Sequence, residues 1–238
     1  MERVTDTVTD TVTEPPSEFS RVRRLPARAA YDTATVHGIL DAAMIGHVGV
    51  LRQGRPVVIP MLFGRVGEDL YLHGSVASQL LRGLAGGIDV CFTATVIDGL
   101  VFARSAFHHS MNYRSVVIVG TATPVDGDDK MIGLRSVVEH ITPGRWDEAR
   151  RPSDVELRQT SVLRMPMTEA SAKIRVGGPA DDVEDLTLPI WAGQVPVTVH
   201  FAPPVDADDL QHGIAVSPAV ARLGSPGPTP ESGASAPT

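Results

Sequence analysis

The chemically densest stretch of the sequence is residues 105–115, where histidine, asparagine, tyrosine and arginine side chains follow one another closely. Asn112 carries an amide donor and an amide acceptor that can read a pyrimidine edge, and Tyr113 offers a ring for stacking. Arg114 can meet a phosphate through two parallel hydrogen bonds. The stretch therefore favours a site for a phosphorylated aromatic ligand, and a solvated loop is the alternative.

A second candidate site lies where a strand-like apolar run ends in serines. His73 and Gly74 are followed by Ser75, and Ser78 comes three residues later. A helix that begins at Ser75 or Ser78 would offer a phosphate free backbone N–H groups, hydroxyls and the positive end of the helix dipole. The alternative is an ordinary helix cap.

Three other chemically notable residue types have simpler interpretations. Trp191 either fills a core position or covers a ligand ring. His108 and His109 are adjacent, so on a strand they point to opposite faces and cannot chelate one metal together. Cys91 is the only cysteine and lies in an apolar run, which predicts a core position and excludes a disulfide. We expect no metal site.

The composition excludes several partner classes. The chain has 238 residues with 42% hydrophobic residues and a formal net charge of −7. A negative balance argues against a nucleic-acid partner. No apolar run is long enough for a membrane span, and the polar start of the chain has no signal-peptide core. We therefore expect a cytoplasmic protein that has no membrane partner.

Hydrophobic patterning predicts the elements that must position these residues. Strands are predicted at 45–50, 56–63, 70–74, 90–96, 100–106, 115–123, 160–167 and 172–176. The pair Asp98-Gly99 predicts a hairpin turn between the fourth and fifth of these strands. Helices are predicted from Asp32 or Thr33, over about 75–84 and over 129–141. Strands in meander order with outer helices predict a mainly β fold with α caps, an antiparallel barrel.

The two ends of the chain differ in composition from the middle. Residues 1–19 contain a near-repeat and two prolines, which predicts a disordered N-terminal tail. Residues 206–238 end in a stretch rich in Gly, Ser, Pro and Ala, which predicts a flexible C-terminal tail. Residues 20–205 are expected to form one folded domain.

From about Leu25 to Gly193 the sequence resembles the flavin-nucleotide-binding branch of the pyridoxamine 5′-phosphate oxidase-like superfamily, and it is similar to nitroimidazole-resistance proteins. The matching segments are 24–32, 46–49, 58–61, 71–78, 98–100, 105–115 and 189–193. The long run 105–115 is the most specific of them.

The resemblance implies an FMN-binding split β-barrel, six-stranded and Greek-key-like, which works as a homodimer with FMN at the subunit interface. It also implies the cofactor contacts: Ile59, Pro60 and Met61 beside the flavin ring, His73, Gly74, Ser75, Ser78 and Arg82 at the phosphate, and Ser110, Asn112, Tyr113, Arg114 and Trp191 at the border of the cofactor.

One departure from the family pattern bears on the substrate. True pyridoxamine-phosphate oxidases carry an Arg-Lys pair after the equivalent of Ser78, and here Gln79-Leu80 follow. The phosphate charge would then need Arg82, Arg104 or Arg114. Vitamin B6 is therefore not the expected substrate.

The resemblance implies an FMN-dependent oxidoreductase that acts on a small aromatic or nitro compound, with NAD(P)H as a candidate reductant. Tyr113, His109 and His73 are the candidate proton donors. Two other functions are compatible with the same fold: a flavin-binding protein without turnover, and a haem enzyme with His73 or His109 as the axial ligand. Deazaflavin F420 in place of FMN is a further alternative.

Overall fold

A computed structural model of the chain describes residues 14–75 and 87–224. Its strands are β1 (Ala29–Ala30), β2 (Gly46–Arg52), β3 (Arg55–Met61), β4 (Phe63–Val66), β5 (Asp69–Ser75), β6 (Ile88–Phe102), β7 (Ser110–Val125), β8 (Thr160–Pro166), β9 (Ala170–Arg175) and β10 (Gly193–Pro196). Its α-helices are α1 (Thr33–Ala42), α2 (Gly127–Ile141), α3 (Arg145–Glu148), α4 (Asp154–Gln159) and α5 (Pro218–Leu223).

The strands form one antiparallel sheet whose main path runs β3-β2-β6-β7-β8-β5-β4. β9 joins the side of β7 and also pairs with β1, while β10 pairs with β6. Within the described residues β3 and β4 do not pair, so the path is not closed. The predicted mainly β split barrel with helical caps is confirmed, although ten described strands replace the six expected.

The predicted hairpin at Asp98-Gly99 is wrong, because β6 runs through this pair as a single strand with a bulge beside Ile97. Gly99 lies between Asn112 of β7 and Pro196 of β10. A Cβ atom at Gly99 would lie 3.1 Å from the carbonyl oxygen of Val195. The glycine therefore permits a close strand approach here instead of a turn.

The core fills the space between the curled sheet and α1, with Phe63, Phe92 and Leu40 among its fully buried side chains. α1 begins as predicted, since the Asp32 carboxylate accepts a hydrogen bond from the Thr35 N–H at 2.8 Å. The predicted core position of Cys91 is wrong. Alternation along β6 turns Val90 and Phe92 inward and leaves Cys91 on the exposed face.

The chain beyond residue 205 contains a packed helix. The α5 residue Ala219 is buried, and its backbone N–H donates to the Glu148 carboxylate of α3 at 2.8 Å. Arg145 donates to the Ser217 hydroxyl at 3.0 Å, which ties the start of α5 to the same helix. Across the two described ranges, no helix has the length and apolar character that a bilayer crossing requires.

Candidate functional site

The structure brings the predicted flavin-ring and phosphate segments together at the junction of β3, β4 and β5. β4 starts at Phe63, two residues after the last residue of β3, and Phe63 pairs with Leu72 of β5. Residues 59–61 therefore lie near residues 73–75, and we call these six residues the strand-end group. Ser78 and Arg82, predicted for the same phosphate site, lie outside the described residues.

His73 is the most distinctive side chain of the strand-end group. Burial lowers the pKa of its imidazole below the ordinary value, which favours the neutral ring. Its Nδ1 atom is buried and has no hydrogen-bond partner within the part of the chain that the structure describes. A neutral imidazole with an unsatisfied nitrogen is suited to binding a metal centre or a polar ligand atom.

The other predicted residues meet at the far end of the β6–β7 hairpin, and we call His109, Ser110–Arg114 and Trp191 the hairpin group. Ser110 pairs with Val101 of β6. The ring centroid of Phe102 lies 5.6 Å from that of His109 and 6.0 Å from that of Trp191. Trp191 was predicted either to fill a core position or to cover a ligand ring. Its side chain is 65% exposed, so it does not fill a core position.

His109 is held in one orientation by the backbone. Its Nδ1 lies 3.0 Å from the carbonyl oxygen of Ser105, which can only accept a hydrogen bond, so Nδ1 carries the proton. In the neutral ring, Nε2 then carries the lone pair. A histidine whose second nitrogen donates to a carbonyl has the usual arrangement of a metal-ligating histidine.

The side-chain amide of Asn112 is already engaged in hydrogen bonds inside the protein. Its side-chain N–H donates to the Gln194 amide oxygen at 2.6 Å, and its own oxygen accepts a hydrogen bond from Arg175. The residue is 8% exposed. Its amide thus braces β7 against β9 and β10, and in this structure it is not free to read a pyrimidine edge as predicted.

Two of the three arginines expected to neutralise a phosphate are already paired. Arg114 donates to both carboxylate oxygens of Asp98, at 2.9 and 2.7 Å, and this hydrogen bonding raises its pKa. Arg104 donates to the almost fully buried carboxylate of Asp181 at 2.8 Å. Both guanidinium groups stabilise the hairpin, and neither has its full fork available for a phosphate.

The strand-end and hairpin groups do not meet within one chain. β3 and β7 are three strand steps apart, and the Pro60 row crosses β7 at Val117, four residues from Tyr113. With about 4.8 Å between strands and about 3.4 Å per residue, the separation along the sheet is roughly 20 Å. A ligand much shorter than this distance, such as a flavin ring, could contact both groups only if they came from different chains.

Sequence reasoning missed Arg175, whose guanidinium is buried beside Asn112. The sequence pattern could have indicated this residue, because Ala170, Ala172 and Ile174 alternate with more polar residues along β9. That alternation places Lys173 and Arg175 on one face of the strand. Across the described ranges, no cluster of three or more His, Cys, Asp or Glu side chains has the arrangement of a metal site.

Comparison with known proteins gives a consistent result. A family model described as pyridoxamine 5′-phosphate oxidase matches residues 32–174. The flavocytochrome Anf3 from Azotobacter vinelandii shares 36% identity with a TM-score of 0.82, over 88% of this chain and 98% of that chain. An FAD- and haem-binding protein from Mycobacterium smegmatis shares 34% identity with a TM-score of 0.78, over 82% of this chain and 97% of that chain.

A more distant structure shares the fold. A proposed 5-nitroimidazole antibiotic resistance protein from Bacteroides thetaiotaomicron has 23% identity and a TM-score of 0.52, over 61% of this chain and 86% of that chain. A search among curated proteins found no match.

Proposed function

This chain belongs to the pyridoxamine 5′-phosphate oxidase family, and from that premise we propose that it is a homodimeric oxidoreductase that binds FAD and haem. The observation that carries the proposal is the pair of relatives at 36% and 34% identity, both named for flavin and haem. Both align with this chain over nearly their whole length, so both cofactors are proposed for one domain. The expected FMN contacts then apply to the FMN half of FAD.

The strand-end group fits the flavin ring. Ile59 and Met61 are half-buried and Pro60 is exposed, so they offer apolar surface without charge. His73 and Gly74 follow at the adjacent end of β5. Apolar surface beside a few polar groups is typical of a cofactor site.

Two histidines fit the role of axial haem ligand, each for a different reason. Burial favours neutral His73, and its Nδ1 has no partner within the described ranges. The Nδ1 of His109 is fixed by its hydrogen bond to the Ser105 carbonyl oxygen. Its ring lies against Phe102, which in turn lies near the exposed Trp191. We propose His73 as the ligand because a buried nitrogen without a partner is costly unless a ligand satisfies it. His109 is the second candidate.

Two exposed apolar surfaces support the homodimer. On the outer face of the sheet, Val58 is 64% exposed and lies in one row with Gly49 and Cys91. From β10 onward, exposed apolar side chains recur at every second position: Val195, Val197, Val199 and Phe201. Large uncovered apolar surfaces usually mark interaction sites. A second copy would cover the sheet face and join the strand-end group of one chain to the hairpin group of its partner.

The proposed chemistry is redox chemistry on a small aromatic or nitro compound, with NAD(P)H as the proposed reductant. When bound, flavin and haem together supply hydride and single-electron transfer. The protein's own role is to position the cofactors and the substrate and to exclude water from them. Trp191 and Phe107 are both exposed and offer rings on which an aromatic substrate can stack. Tyr113 is the proposed proton donor, and His109 is the second candidate in its protonated form, in which Nε2 also carries a proton.

Single substitutions test the haem assignment. We expect His73→Ala to lose or strongly shift the haem absorption band while flavin content stays unchanged, with partial recovery when free imidazole is added. His109→Ala should retain the wild-type band, and His108→Ala serves as a matched control. A wild-type band in His73→Ala and a lost band in His109→Ala would transfer the ligand role to His109. Wild-type protein without haem or flavin would contradict the proposed function itself.

A further inference from the structure

Three cations lie together at the end of β9, and none of them pairs with a carboxylate of the described residues. Arg175 is only 6% exposed, and Arg28 and Lys173 are half-buried. Within the part of the chain that the structure describes, none of the three forms an ion pair. The nearby Arg104 and Arg114 differ, because Asp181 and Asp98 neutralise them.

The contacts of Arg175 use three of its five N–H donors and leave its charge unbalanced. Its guanidinium donates to the Asn112 amide oxygen and, at 3.1 Å each, to the carbonyl oxygens of Gly177 and Gly178. All three acceptors are neutral. Burial, followed by the positive charge of Arg28, lowers the pKa of Arg175. A buried cation without a counter-charge is costly, so a bound anion would stabilise this arrangement.

The strand register places the three cations side by side. Ala29 pairs with Lys173, so the preceding Arg28 lies beside the Lys173–Arg175 segment. Lys173 and Arg175 are two residues apart and share one face of β9. Arg175 also pairs with Tyr113 of β7, which brings the cations next to the hairpin group.

We propose that Arg28, Lys173 and Arg175 bind the diphosphate of a dinucleotide beside Tyr113. Two adjacent negative phosphates match a cluster of three cations, and arginine meets phosphate oxygens through parallel hydrogen bonds. The inference rests on the proposed function and names the residues that distinguish FAD from FMN. FAD and NAD(P)H share the diphosphate, and the experiment separates them.

The test compares binding of riboflavin, FMN, FAD, NADPH and haem to the cofactor-free full chain. We expect Arg28→Met and Lys173→Met each to raise the Kd for FAD about 10-fold, with unchanged Kd values for riboflavin and FMN. Arg175→Met should have a larger effect, and Arg175→Lys should recover part of it. Arg158→Met is the control, because Arg158 is exposed in α4 and forms no ion pair with any described residue.

The outcomes separate the possible occupants. A raised Kd for NADPH with unchanged flavin binding would also support the diphosphate site and assign it to the reductant. Unchanged Kd values for both dinucleotides in Arg28→Met and Lys173→Met would overturn the proposal, and so would a loss confined to haem. Because Arg175→Met removes a buried bracing group, a folding defect in that variant leaves the decision to the other two. If the wild type binds neither flavin nor haem, the proposed function fails first.

Discussion

At the scale of single residues, Tyr71 shows how burial and a charged neighbour act together. Tyr71 is 3% exposed and donates its hydroxyl hydrogen to Asp129 at 2.7 Å. Burial raises its pKa to about 12, and the hydrogen bond and charge of Asp129 add to that effect. A phenolate at this position would face a carboxylate, so the neutral phenol is strongly favoured.

We therefore predict that one tyrosine titrates at an unusually high pH. Of the three tyrosines in the chain, Tyr71 should ionise near pH 12, and Tyr71→Phe should remove that step from the ultraviolet tyrosinate signal. Because the folded pKa lies above the unfolded value of about 10, the stability contribution is complete below about pH 10 and is lost as the pH rises towards 12. A titration curve that is identical in the variant would contradict the assignment.

The residue scale also marks the limit of the sequence prediction at the candidate site. The sequence indicated His73, Asn112 and Arg114 as candidates, because the chemistry of a side chain follows from the residue type alone. It could not reveal that Asn112 is bound to Gln194, 82 residues away, or that Arg114 is bound to Asp98, 16 residues away. Those pairings depend on strand register, which sets the partners of each residue across the sheet.

At the scale of elements, α2 packs closely on β5 because it carries a glycine at the contact. A Cβ atom at Gly133 would lie 2.6 Å from the Tyr71 ring and 2.7 Å from a Val162 methyl group. Both neighbours are buried and fixed in the sheet. The glycine therefore sets the distance between helix and sheet, although glycine weakens a helix interior.

We predict that Gly133→Ala destabilises the protein by about 1–3 kcal/mol through overpacking. The matched control is Gly38→Ala in α1, where a Cβ would meet no atom within 4 Å. There the gain in helix propensity should stabilise by about 0.5–1 kcal/mol. Urea unfolding of both variants measures the difference, and equal shifts of the same sign would show that the contact with Tyr71 does not matter.

The sequence located most strands and helices, but it did not predict that β6 is one continuous strand. The sequence correctly predicted α2 and most of the strand regions but not β1 or β10, because alternation and helical periodicity are local signals that short strands do not carry. It divided β6 at Asp98-Gly99, a pair that favours turns in isolation. In the fold, the pairing of Gly99 with Pro196 of β10 and of Arg114 with Asp98 keeps the strand continuous. Tertiary contacts from distant segments override the local preference.

At the scale of the whole molecule, the proposed site is shared by two chains. Cys91 offers a natural probe because it lies on the exposed sheet face beside Gly49, next to Val58. If a second copy covers this face, the thiol should react slowly with a thiol reagent in the native protein. Partial desolvation by its neighbours already raises the pKa of the exposed Cys91 thiol, which further lowers its reactivity.

We predict that Val58→Asp shifts the protein from dimer to monomer in light scattering and speeds Cys91 labelling at least about 10-fold. A buried carboxylate opposite a second copy is strongly unfavourable. Val155→Asp is the control, since Val155 is 53% exposed in α4, a helix that packs on β8 and not on β2, β3 or β6. Rapid labelling of the wild type together with a monomeric mass would refute the shared site.

The most direct measurement is the absorption spectrum of the purified protein, together with mass spectrometry of the cofactors released on denaturation. We predict a flavin band at about 450 nm and a haem band at about 400 nm in one preparation, with FAD and haem released in comparable amounts. A colourless protein that binds neither added FAD nor added haem would contradict the proposed function and leave only the fold.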